Sequence, residues 1–320
     1  MYYCFKQLPS HELKKIIKIG TRESQLAVWQ ATLVKNLLYK NNVASELVYI
    51  KSEGDVDTVT PLYEIGVQGI FTRSLDAALL NNRIDIAVHS LKDVPTQLAG
   101  GIQQAAVLKR ASYKDIFVYK NDPSFLEDKN SSAIIATSSI RRIAQWLNRY
   151  PNHSFENLRG NVNTRLRKIS EHKWNGAIFA AAGLERINLR PPNSIDLDWM
   201  LPAPAQGAIV IVCRTNDKLS FEVSNVLNDE ATALCTKIER DFLRGLMGGC
   251  STPISALALV ENGAVNFKGN ICSPDGKHKI EVKKTASIPN SDELGKVAAK
   301  ELLKNEEAQK IIYRLRNVEK

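Results

Sequence analysis

Short apolar runs alternate with segments of helical periodicity along the first two hundred residues, and this alternation constrains the fold more than any other feature. The run at residues 84–88 has the length of a buried strand, and a helical stripe precedes it at steps of three and four: Leu26, Trp29, Leu33 and Leu37. Strands that alternate with helices predict an α/β fold with a mainly parallel sheet.

A second α/β unit begins near Tyr113. Strands are expected at residues 115–119, 133–136 and 177–180. Two helices follow, with apolar stripes at Ile140, Ile143 and Leu147 in the first and at Val162, Leu166 and Ile169 in the second. The tail carries short alternating strands and two helices, which predicts a small α+β domain.

We divide the chain into three domains. The first spans residues 1–110 together with 208–228, and the proline-rich segment before residue 208 is typical of a domain crossing. The second spans 111–207 and the third spans 229–320. Within the first domain, residues 51–68 have glycines, a proline and no sustained period, as lids and binding loops do.

The composition is that of an ordinary soluble protein, with 44% hydrophobic and 24% charged residues. Five cysteines are scattered without a C-x-x-C pair, so we expect neither a disulfide framework nor a zinc site, and a cytoplasmic location fits best. We find no signal peptide and no apolar run long enough to span a membrane. The formal net charge of +9 indicates an anionic partner: nucleic acid, a membrane surface, or a small molecule with carboxylates or phosphates.

The positive charge is concentrated in one part of the chain. Residues 138–190 contain ten Lys and Arg against three Glu, which accounts for seven of the nine excess positive charges. Arginines also recur at or within the first turn of predicted helices: Arg22, Arg141, Arg142 and Arg165. The helix dipole disfavours a cation there by roughly 0.3–1 kcal/mol, whereas a bound anion would reverse the sign.

Hydroxyl groups accompany these arginines at Thr21, Ser24, Thr137, Ser138 and Ser139. Backbone N–H groups, guanidinium forks and hydroxyls together predict carboxylate or phosphate sites at the carboxyl ends of strands. The alternative is that the arginines are solvated surface residues, which suffices for Arg149, Arg167 and Arg190.

Asp93 is the second candidate for chemistry. It follows the run at 84–88 and precedes Pro95, so we expect it at the lip of the same cleft, beside Lys92. A carboxylate that faces a basic pocket can stabilise positive charge on a substrate. The alternative is an Asp that caps a turn or pairs with Lys92. We expect the nearby His89 to be a satisfied polar group rather than a metal ligand.

Cys250 follows two glycines and precedes Pro253 by three residues, a pattern typical of a tight exposed loop. A thiol in such a loop can meet a bulky partner. The alternative is a small buried hydrophobic residue, which is the usual fate of a cysteine outside a disulfide.

These motifs occur together, and in the same order, in one enzyme family. They lie at residues 20–24, 89–95, 137–142, 158–165, 182–184 and 248–250. On this basis nearly the whole chain resembles hydroxymethylbilane synthase, also called porphobilinogen deaminase. The resemblance implies an α/β fold in which two type II periplasmic-binding-protein-like domains surround a cleft and a small α+β C-terminal domain carries the cofactor cysteine.

The resemblance also implies an activity. Enzymes of this family join four porphobilinogen molecules head to tail, with loss of ammonia, and water then releases linear hydroxymethylbilane. The chain grows on a dipyrromethane cofactor, one per protein chain, held by a thioether to the cysteine that matches Cys250. Asp93 matches the carboxylate that holds the pyrrole N–H and stabilises the positive charge left when ammonia departs.

The remaining site residues are carried over position by position. Cofactor-binding positions besides Cys250 are expected at Lys92, Ser138, Ser139, Arg141, Arg142, Arg159 and Arg165. Substrate-binding positions are expected at Arg22, Ser24 and Arg186. The resemblance thus implies porphobilinogen as the small-molecule partner of a cytoplasmic monomer that binds no metal, nucleic acid or membrane.

Three positions depart from the family pattern. Gly66-Val67-Gln68-Gly69 lacks the lysine of the usual Gly-Gly-Lys-Gly, so the lid has one cation fewer. Ala205-Gln206-Gly207 has alanine where Gly-Gln-Gly is usual, which predicts a stiffer domain crossing. Ser251-Thr252 follows the cysteine in place of Gln-Val.

Two other classes of protein share part of this pattern. A solute-binding protein for a polycarboxylate would have the same two-lobed architecture, but it would carry an export signal and have no use for the Cys250 loop. A nucleic-acid-binding protein would explain the charge. However, the basic residues lie at strand-to-helix junctions rather than along one helix face with stacking aromatics.

Overall fold

The computed structural model describes residues 15–51, 72–246 and 252–318, so all of the predicted lid beyond Lys51, and Cys250, lie outside the described residues. In chain order the strands and helices are β1 (Ile17–Thr21), α1 (Gln25–Lys40), β2 (Ser45–Tyr49), α2 (Arg73–Leu80), β3 (Ile86–Ser90), β4 (Ile102–Val107), β5 (Asp115–Tyr119), β6 (Ile134–Ala136), α3 (Ile140–Arg149), β7 (Ser154–Glu156), α4 (Val162–Glu171), β8 (Gly176–Ala180), α5 (Ala181–Glu185), β9 (Ser194–Asp196), β10 (Ile209–Arg214), α6 (Lys218–Asn225), α7 (Glu230–Gly245), β11 (Ile254–Glu261), β12 (Ala264–Cys272), β13 (Lys279–Ser287), α8 (Leu294–Leu302) and α9 (Glu306–Val318).

The first sheet has five strands in the order β2-β1-β3-β10-β4. Strand β1 pairs in parallel with β2 and β3, whereas β10 pairs antiparallel with β3 and β4. The expectation of a mainly parallel sheet is therefore wrong for half of the strand pairs. The reason is that β10 enters directly from the second domain, without the crossover helix that returns a chain in the parallel direction.

The second sheet, β7-β6-β8-β5-β9, repeats this arrangement. Strand β6 pairs in parallel with β7 and β8, and β5 pairs antiparallel with β8 and β9. In both sheets the antiparallel strand lies fourth and follows a segment that crosses between the domains. Each sheet has a separate hydrophobic cluster on each face, as expected when helices cover both sides of a sheet.

The third sheet is antiparallel, in the order β11-β12-β13, and shares one core with α7, α8 and α9 that includes Phe242, Phe267 and Ile311. The predicted α/β fold class, with two similar domains and a small α+β C-terminal domain, is confirmed by the sheet orders. In the parts of the chain that the structure describes, no helix is both long enough and apolar enough to cross a bilayer.

The buried face of α3 differs from the predicted stripe. Ile140, Ile143 and Leu147 are only half-buried, whereas Arg142 and Gln145 lie on the buried face. These polar side chains are buried because they have partners in other segments. The Gln145 Nε2, for example, donates to the Ser255 Oγ of β11 at 2.9 Å and to the Leu201 carbonyl at 2.9 Å.

The buried face of α1 is also shifted from the predicted stripe. Trp29, Leu33 and Leu37 are half-buried, while Val34 and Leu38 are fully buried. The helix therefore packs on the first sheet through residues one position further along the chain. Trp29 is left at the edge, where it reaches the second domain.

Two segments cross between the first and second domains and lie in close contact. Gly207 has φ +87°, and a Cβ at this position would lie 2.6 Å from the Ser112 carbonyl oxygen, so only glycine fits. Two residues earlier, Ala205 has φ +62°, a left-handed conformation that costs an alanine roughly 1–2 kcal/mol. The predicted crossing therefore combines close contact with a backbone conformation that is unfavourable for alanine.

A buried carboxylate of α7 connects this crossing to the third domain. Glu239 is fully buried and forms a two-point ion pair with Arg110, at 2.6 and 3.0 Å. Its oxygens also accept from the backbone N–H groups of Ala205, at 2.6 Å, and Ala258, at 2.8 Å. One side chain thus joins both crossing segments to α7 and β11.

Candidate active site at the domain crossing

Asp93 lies on the segment that follows β3, which forms one 3₁₀ turn at Leu91–Asp93. Leu91 and Val94 are buried, and the Leu91 N–H donates to the Ala208 carbonyl at 3.0 Å. Asp93 lies between these two anchors and is exposed. The predicted position of Asp93 at the carboxyl end of a buried strand is thus confirmed, and its neighbours hold its carboxylate at the surface.

Lys92 extends toward the domain crossing, where its Nζ donates to the Gln206 Oε1 at 3.2 Å. Burial lowers the pKa of Lys92 to about 8; Asp93 and Asp115 oppose this shift, and Arg142 adds to it. An ammonium with so low a pKa is stabilised when another carboxylate comes near it. The position therefore suits a ligand with acidic groups.

Asp115, at the start of β5, is the carboxylate that the side chains of Arg141, Arg142 and Gln206 contact. It is fully buried, and its Oδ1 accepts from Arg142 Nε at 3.1 Å and Nη2 at 2.7 Å, and from Gln206 Nε2 at 3.0 Å. Arg141 Nη2 lies 2.8 Å from Oδ2 as an ion pair without hydrogen-bond geometry. Burial raises the pKa of Asp115, but Arg141, Arg142 and Lys92 outweigh burial and lower it to about 2.

Arg141 and Arg142 also contact backbone carbonyls. Arg142 Nη1 donates to the Ile178 carbonyl at 2.9 Å, and Arg141 Nη1 donates to the Leu201 carbonyl at 2.9 Å. All three nitrogens of the Arg142 guanidinium group are thus used within the second domain. An internal carboxylate supplies at least part of the anion expected at the start of α3.

Arg165, the fourth residue of α4, is in a different environment. Its Nε donates to the Gly160 carbonyl at 2.7 Å, and it forms no ion pair with a carboxylate among the described residues. Burial lowers the pKa of Arg165 to about 10; Arg142 and Arg159 lower it further, while Asp93 acts in the opposite direction. The start of α4 therefore holds a guanidinium group surrounded mainly by other cations.

Arg22 and His89 form a second part of the site, near the end of β1. Arg22 lies two residues before the N-cap of α1 and not in its first turn; the cap is Ser24, which accepts the Ala27 N–H at 3.4 Å. The expectation that His89 is a satisfied polar group is wrong, since its buried Nε2 has no hydrogen-bond partner in the described part of the chain. Burial, and then Arg22, lower the pKa of His89 to about 4, so the imidazole is neutral at pH 7.

The serines at the start of α3 are held by local contacts. Ser138 Oγ accepts the Leu158 N–H at 2.9 Å, which joins this turn to the segment that leads to Arg159. Ser139 occupies the N-cap position, but its side chain does not cap the helix, and its N–H donates to Thr137 Oγ1 at 3.2 Å. The predicted hydroxyls therefore do lie beside the predicted arginines.

Arg186 lies where the two domains meet. Its Nη2 donates to the Gly207 carbonyl at 2.7 Å, and its guanidinium carbon lies 5.9 Å from the ring centre of Trp29 in α1. Burial lowers the pKa of Arg186 to about 10, although Glu185 acts in the opposite direction. Nearby, Asn163 Nδ2 donates to Gln25 Oε1 at 2.9 Å, so α4 and α1 touch directly.

The charge around Asp93 suits a ligand with several carboxylates. The cations that influence one another's pKa here are Lys92, Arg141, Arg142, Arg159 and Arg165. The carboxylates that act on these cations are Asp93 and Asp115. Five positive charges against two negative ones leave three in excess, and burial of the cations makes them favour an added anion. A dipyrromethane carries an acetate and a propionate on each ring, so this donor set fits it.

Sequence reasoning missed three residues that organise this site. In the sequence, Asp115 is only the first residue of a predicted strand, Gln206 is only part of a crossing motif, and Arg110 belongs to no motif. A lone Asp at the start of an apolar strand is the one signal that pointed to Asp115, because a charge entering a sheet needs a buried partner. Nothing near Arg110 or Gln206 along the chain indicates their partners.

The fold and the site define a two-lobed α/β protein in which cationic side chains at the domain crossing suit a ligand with several carboxylates. Residues 17–222 match the family described as "Porphobilinogen deaminase, dipyromethane cofactor binding domain", and residues 233–304 match "Porphobilinogen deaminase, C-terminal domain". The chain belongs to the porphobilinogen deaminase family. It is an enzyme, a transferase of tetrapyrrole biosynthesis that works on a dipyrromethane cofactor.

Individual relatives agree with this family. The chain is 39% identical over 300 residues to "Porphobilinogen deaminase" of Chlorobium phaeobacteroides, covering 91% of this chain and 96% of that one. It is 41% identical over 300 residues to "Porphobilinogen deaminase, chloroplastic" of Pisum sativum, covering 90% and 81%. Among solved structures, the BvgS periplasmic VFT2 domain of Bordetella pertussis aligns with TM-score 0.40 and 10% identity, covering 66% of this chain and 86% of that one.

Proposed function

We propose that this transferase joins four porphobilinogen molecules head to tail, with loss of ammonia, to give hydroxymethylbilane, and that each bond forms beside Asp93. The observation that carries this assignment is the environment of Asp93. Its carboxylate is exposed at the carboxyl end of β3, within the electrostatic reach of Lys92 and Arg165.

The cations bind the acidic side chains of the pyrroles. Arg165 projects from the first turn of α4, Arg159 from the segment before that helix, and Lys92 from the turn after β3. Carboxylates between them are therefore approached from both domains. Guanidinium groups suit this task because their fork matches a carboxylate at two points. Arg141 and Arg142 are fixed by Asp115, which balances part of their charge, so they contribute less to ligand binding than Arg165 does.

Arg22, Ser24 and Arg186 bind the incoming porphobilinogen. Arg186 of the second domain lies opposite α1 of the first domain, and its guanidinium group lies over the ring of Trp29 in α1. Ser24 caps α1 and so leaves the hydroxyl proton available for a carboxylate. None of these three residues is among the side chains that bind Asp115, so substrate and primer can use different side chains of the site.

Asp93 performs the chemical step. When the C–N bond of porphobilinogen breaks, ammonia leaves and positive charge develops on the pyrrole. The Asp93 carboxylate accepts the pyrrole N–H and stabilises that charge. A C–C bond then forms to the unsubstituted pyrrole carbon of the growing chain, which loses its proton. Basic neighbours cannot supply this negative charge, so the role requires a carboxylate.

Cys250 holds the primer through a thioether, which supplies a fixed first acceptor for the growing chain. It lies outside the described residues, five positions after the end of α7 and four before β11. The other cysteines that the structure describes, Cys213, Cys235 and Cys272, are buried. Burial raises the pKa of Cys272 to about 12 and of Cys235 to about 11, so neither is a reactive thiol.

The decisive experiment combines intact mass with turnover of Asp93→Asn. The purified protein is expected to weigh more than its sequence by a two-ring adduct, and Asp93→Asn is expected to keep the adduct while losing about 10²- to 10³-fold in rate. Asp128→Asn, at an exposed turn aspartate, is the matched control and is expected to match the unmodified protein. A bare-chain mass together with unconsumed porphobilinogen would overturn the function, whereas full activity of Asp93→Asn would overturn the role of Asp93 alone.

We also infer that the enzyme works as a cytoplasmic monomer and does not bind nucleic acid. The cations that surround the site project from turns and helix starts toward one another, and several have internal partners such as Asp115. A nucleic-acid surface would instead present its cations outward along one face. Light scattering at a single-chain mass, and no salt-dependent shift of DNA or RNA, are the expected observations.

A further inference from the structure

Arg240 of α7 makes an unusual set of contacts with the segment that carries Asp93. Its Nη1 donates to the Val94 carbonyl at 2.8 Å and to the Leu91 carbonyl at 3.2 Å, and its Nη2 donates to the Pro95 carbonyl at 2.6 Å. One guanidinium group from the third domain therefore binds three backbone carbonyls of the first domain.

These three carbonyls lie on both sides of Asp93. The Leu91 carbonyl begins the 3₁₀ turn and also accepts the Val94 N–H at 3.2 Å, while the Val94 and Pro95 carbonyls follow Asp93 directly. The backbone around Asp93 is thus fixed before and after the carboxylate. A planar guanidinium donates in fixed directions, so it constrains the orientation of the turn as well as its distance from α7.

The residue that precedes Arg240 in α7 also binds the domain crossing. Glu239 is fully buried and joins Arg110 and the Ala205 N–H, as described above, while Arg240 binds the Asp93 turn. Two adjacent residues of one helix thus hold the domain crossing and the catalytic turn. Helix α7 ends at Gly245, five residues before Cys250, so the same helix leads to the primer attachment point.

We propose that Arg240 is a positioning residue, which fixes the Asp93 carboxylate relative to the domain that carries the primer. The proposal rests on the proposed role of Asp93. Arg240 itself touches neither substrate nor primer through these contacts; it acts by holding the turn. Loss of the guanidinium leaves the turn attached through Leu91 and Val94 but lets the carboxylate shift, and a displacement of about 1 Å can cost about 10²-fold in rate.

The test compares Arg240→Gln and Arg240→Lys with Arg244→Gln. Arg244 is one turn further along α7, is exposed, and pairs with Asp241 at 2.5 Å, so it is a matched control for loss of an arginine from this helix. Arg240→Gln is expected to lower kcat by about 10- to 100-fold with KM changed less than about threefold. Arg240→Lys is expected to recover part of the rate, because an ammonium reaches one carbonyl at a time. Arg244→Gln is expected to stay within about twofold of the unmodified enzyme.

Intact mass and thermal unfolding separate positioning from a purely structural role. Both Arg240 variants are expected to carry the two-ring adduct and, well below Tm, to show the lowered kcat. A loss of Tm with unchanged kcat below the transition would overturn the proposal. If Arg240→Gln fails to fold or to load its primer, Arg240→Lys decides: unchanged kcat in that variant would equally overturn it.

A double-mutant cycle with Asp93→Glu tests whether Arg240 acts through Asp93. Glutamate keeps the carboxylate but moves it by one methylene, so precise placement of the turn no longer helps. Adding Arg240→Gln to Asp93→Glu is expected to cost less than about threefold, well below its cost in the unmodified enzyme. Fully multiplicative losses would overturn the proposal. An inactive Asp93→Asn with a fully active Arg240→Gln would overturn it while leaving the proposed function intact.

Discussion

Helices α3 and α4 both begin with arginines in the first turn, yet the two sets of guanidinium groups are neutralised differently. Arg141 and Arg142 share the buried carboxylate of Asp115, whose pKa they and Lys92 lower to about 2. Arg165 has no carboxylate at ion-pair distance among the described residues, and burial and neighbouring cations lower its pKa to about 10. The charge of Arg141 and Arg142 is balanced within the protein, whereas Arg165 favours binding of an anionic ligand.

This difference separates structural from ligand-binding charge. A buried cation that already has a buried carboxylate gains little from a ligand, and breaking such a pair costs about 3–5 kcal/mol. A desolvated guanidinium among cations loses stability in the unliganded protein and regains it when a carboxylate binds. We therefore expect substitutions at α3 to act mainly on folding, and substitutions at α4 to act mainly on turnover.

Asp115→Asn should have the largest effect and tests the internal balance directly. The amide leaves Arg141 and Arg142 buried without a negative charge, so the free energy of unfolding is expected to fall by about 3–5 kcal/mol. Urea denaturation at pH 7 measures this. Asp196→Asn in the same sheet is the control: Asp196 is partly exposed and pairs with Arg190 at 2.6 Å, and its loss is expected to cost less than about 1 kcal/mol. Equal effects of the two changes would contradict a special role for Asp115.

Exchanging arginine for lysine at each helix should give opposite results. Arg165→Lys keeps the charge but loses the two-point fork, so elongation is expected to slow by roughly tenfold with little change in stability. Arg142→Lys loses two of the three contacts with Asp115 and Ile178, so stability is expected to fall by about 1–3 kcal/mol. Porphobilinogen consumption and urea denaturation of both variants measure these effects on turnover and stability. Lost stability for Arg165→Lys, or an unchanged stability for Arg142→Lys, would remove the distinction.

Much of the fold was predictable because its signals are local. The run at residues 115–119 matches β5, and the runs at 133–136 and 177–180 match β6 and β8 within one residue. The strands missed entirely have weak local signals: β4 contains two adjacent glutamines, and β7 and β9 have three residues each. The antiparallel direction of β10 depends on where the chain re-enters the first sheet, which no local pattern encodes.

The site was predictable to a different degree. Residues that follow strands, such as Lys92 and Asp93, could be located from chain order, because parallel strands end at a common edge. Asp115, Gln206 and Arg240 could not, because each takes its role from a partner far away in sequence. Arg240 sits in mid-helix with an ordinary amphipathic pattern around it, and its carbonyl partners lie about 145 residues earlier.

Lys92 interacts with Arg141 and Arg142 of α3 and with Asp93, on which Arg165 of α4 also acts, and its titration gives the smallest but sharpest test. Its pKa is about 8 in the folded protein, against 10.5 for an ordinary lysine, because burial disfavours the charge. Below pH 8 both folded and unfolded states hold the proton, so the full cost of burial is present. Between pH 8 and 10.5 the unfolded state binds more protons, so the contribution of Lys92 to the free energy of unfolding rises with pH.

The effect of this titration on turnover has the opposite sign. As pH rises through about 8, Lys92 loses the charge that attracts carboxylates, so the rate at low porphobilinogen concentration is expected to fall by several-fold. Lys92→Gln is the comparison, because other titrating groups, including the substrate amine, affect both proteins and cancel in the ratio of their rates. That ratio is expected to decline with a midpoint near pH 8, while the rise in stability between pH 8 and 10.5 is smaller in Lys92→Gln. A ratio that stays constant from pH 7 to 10 would place Lys92 with the internally balanced cations of α3 rather than with the ligand-binding cations of α4.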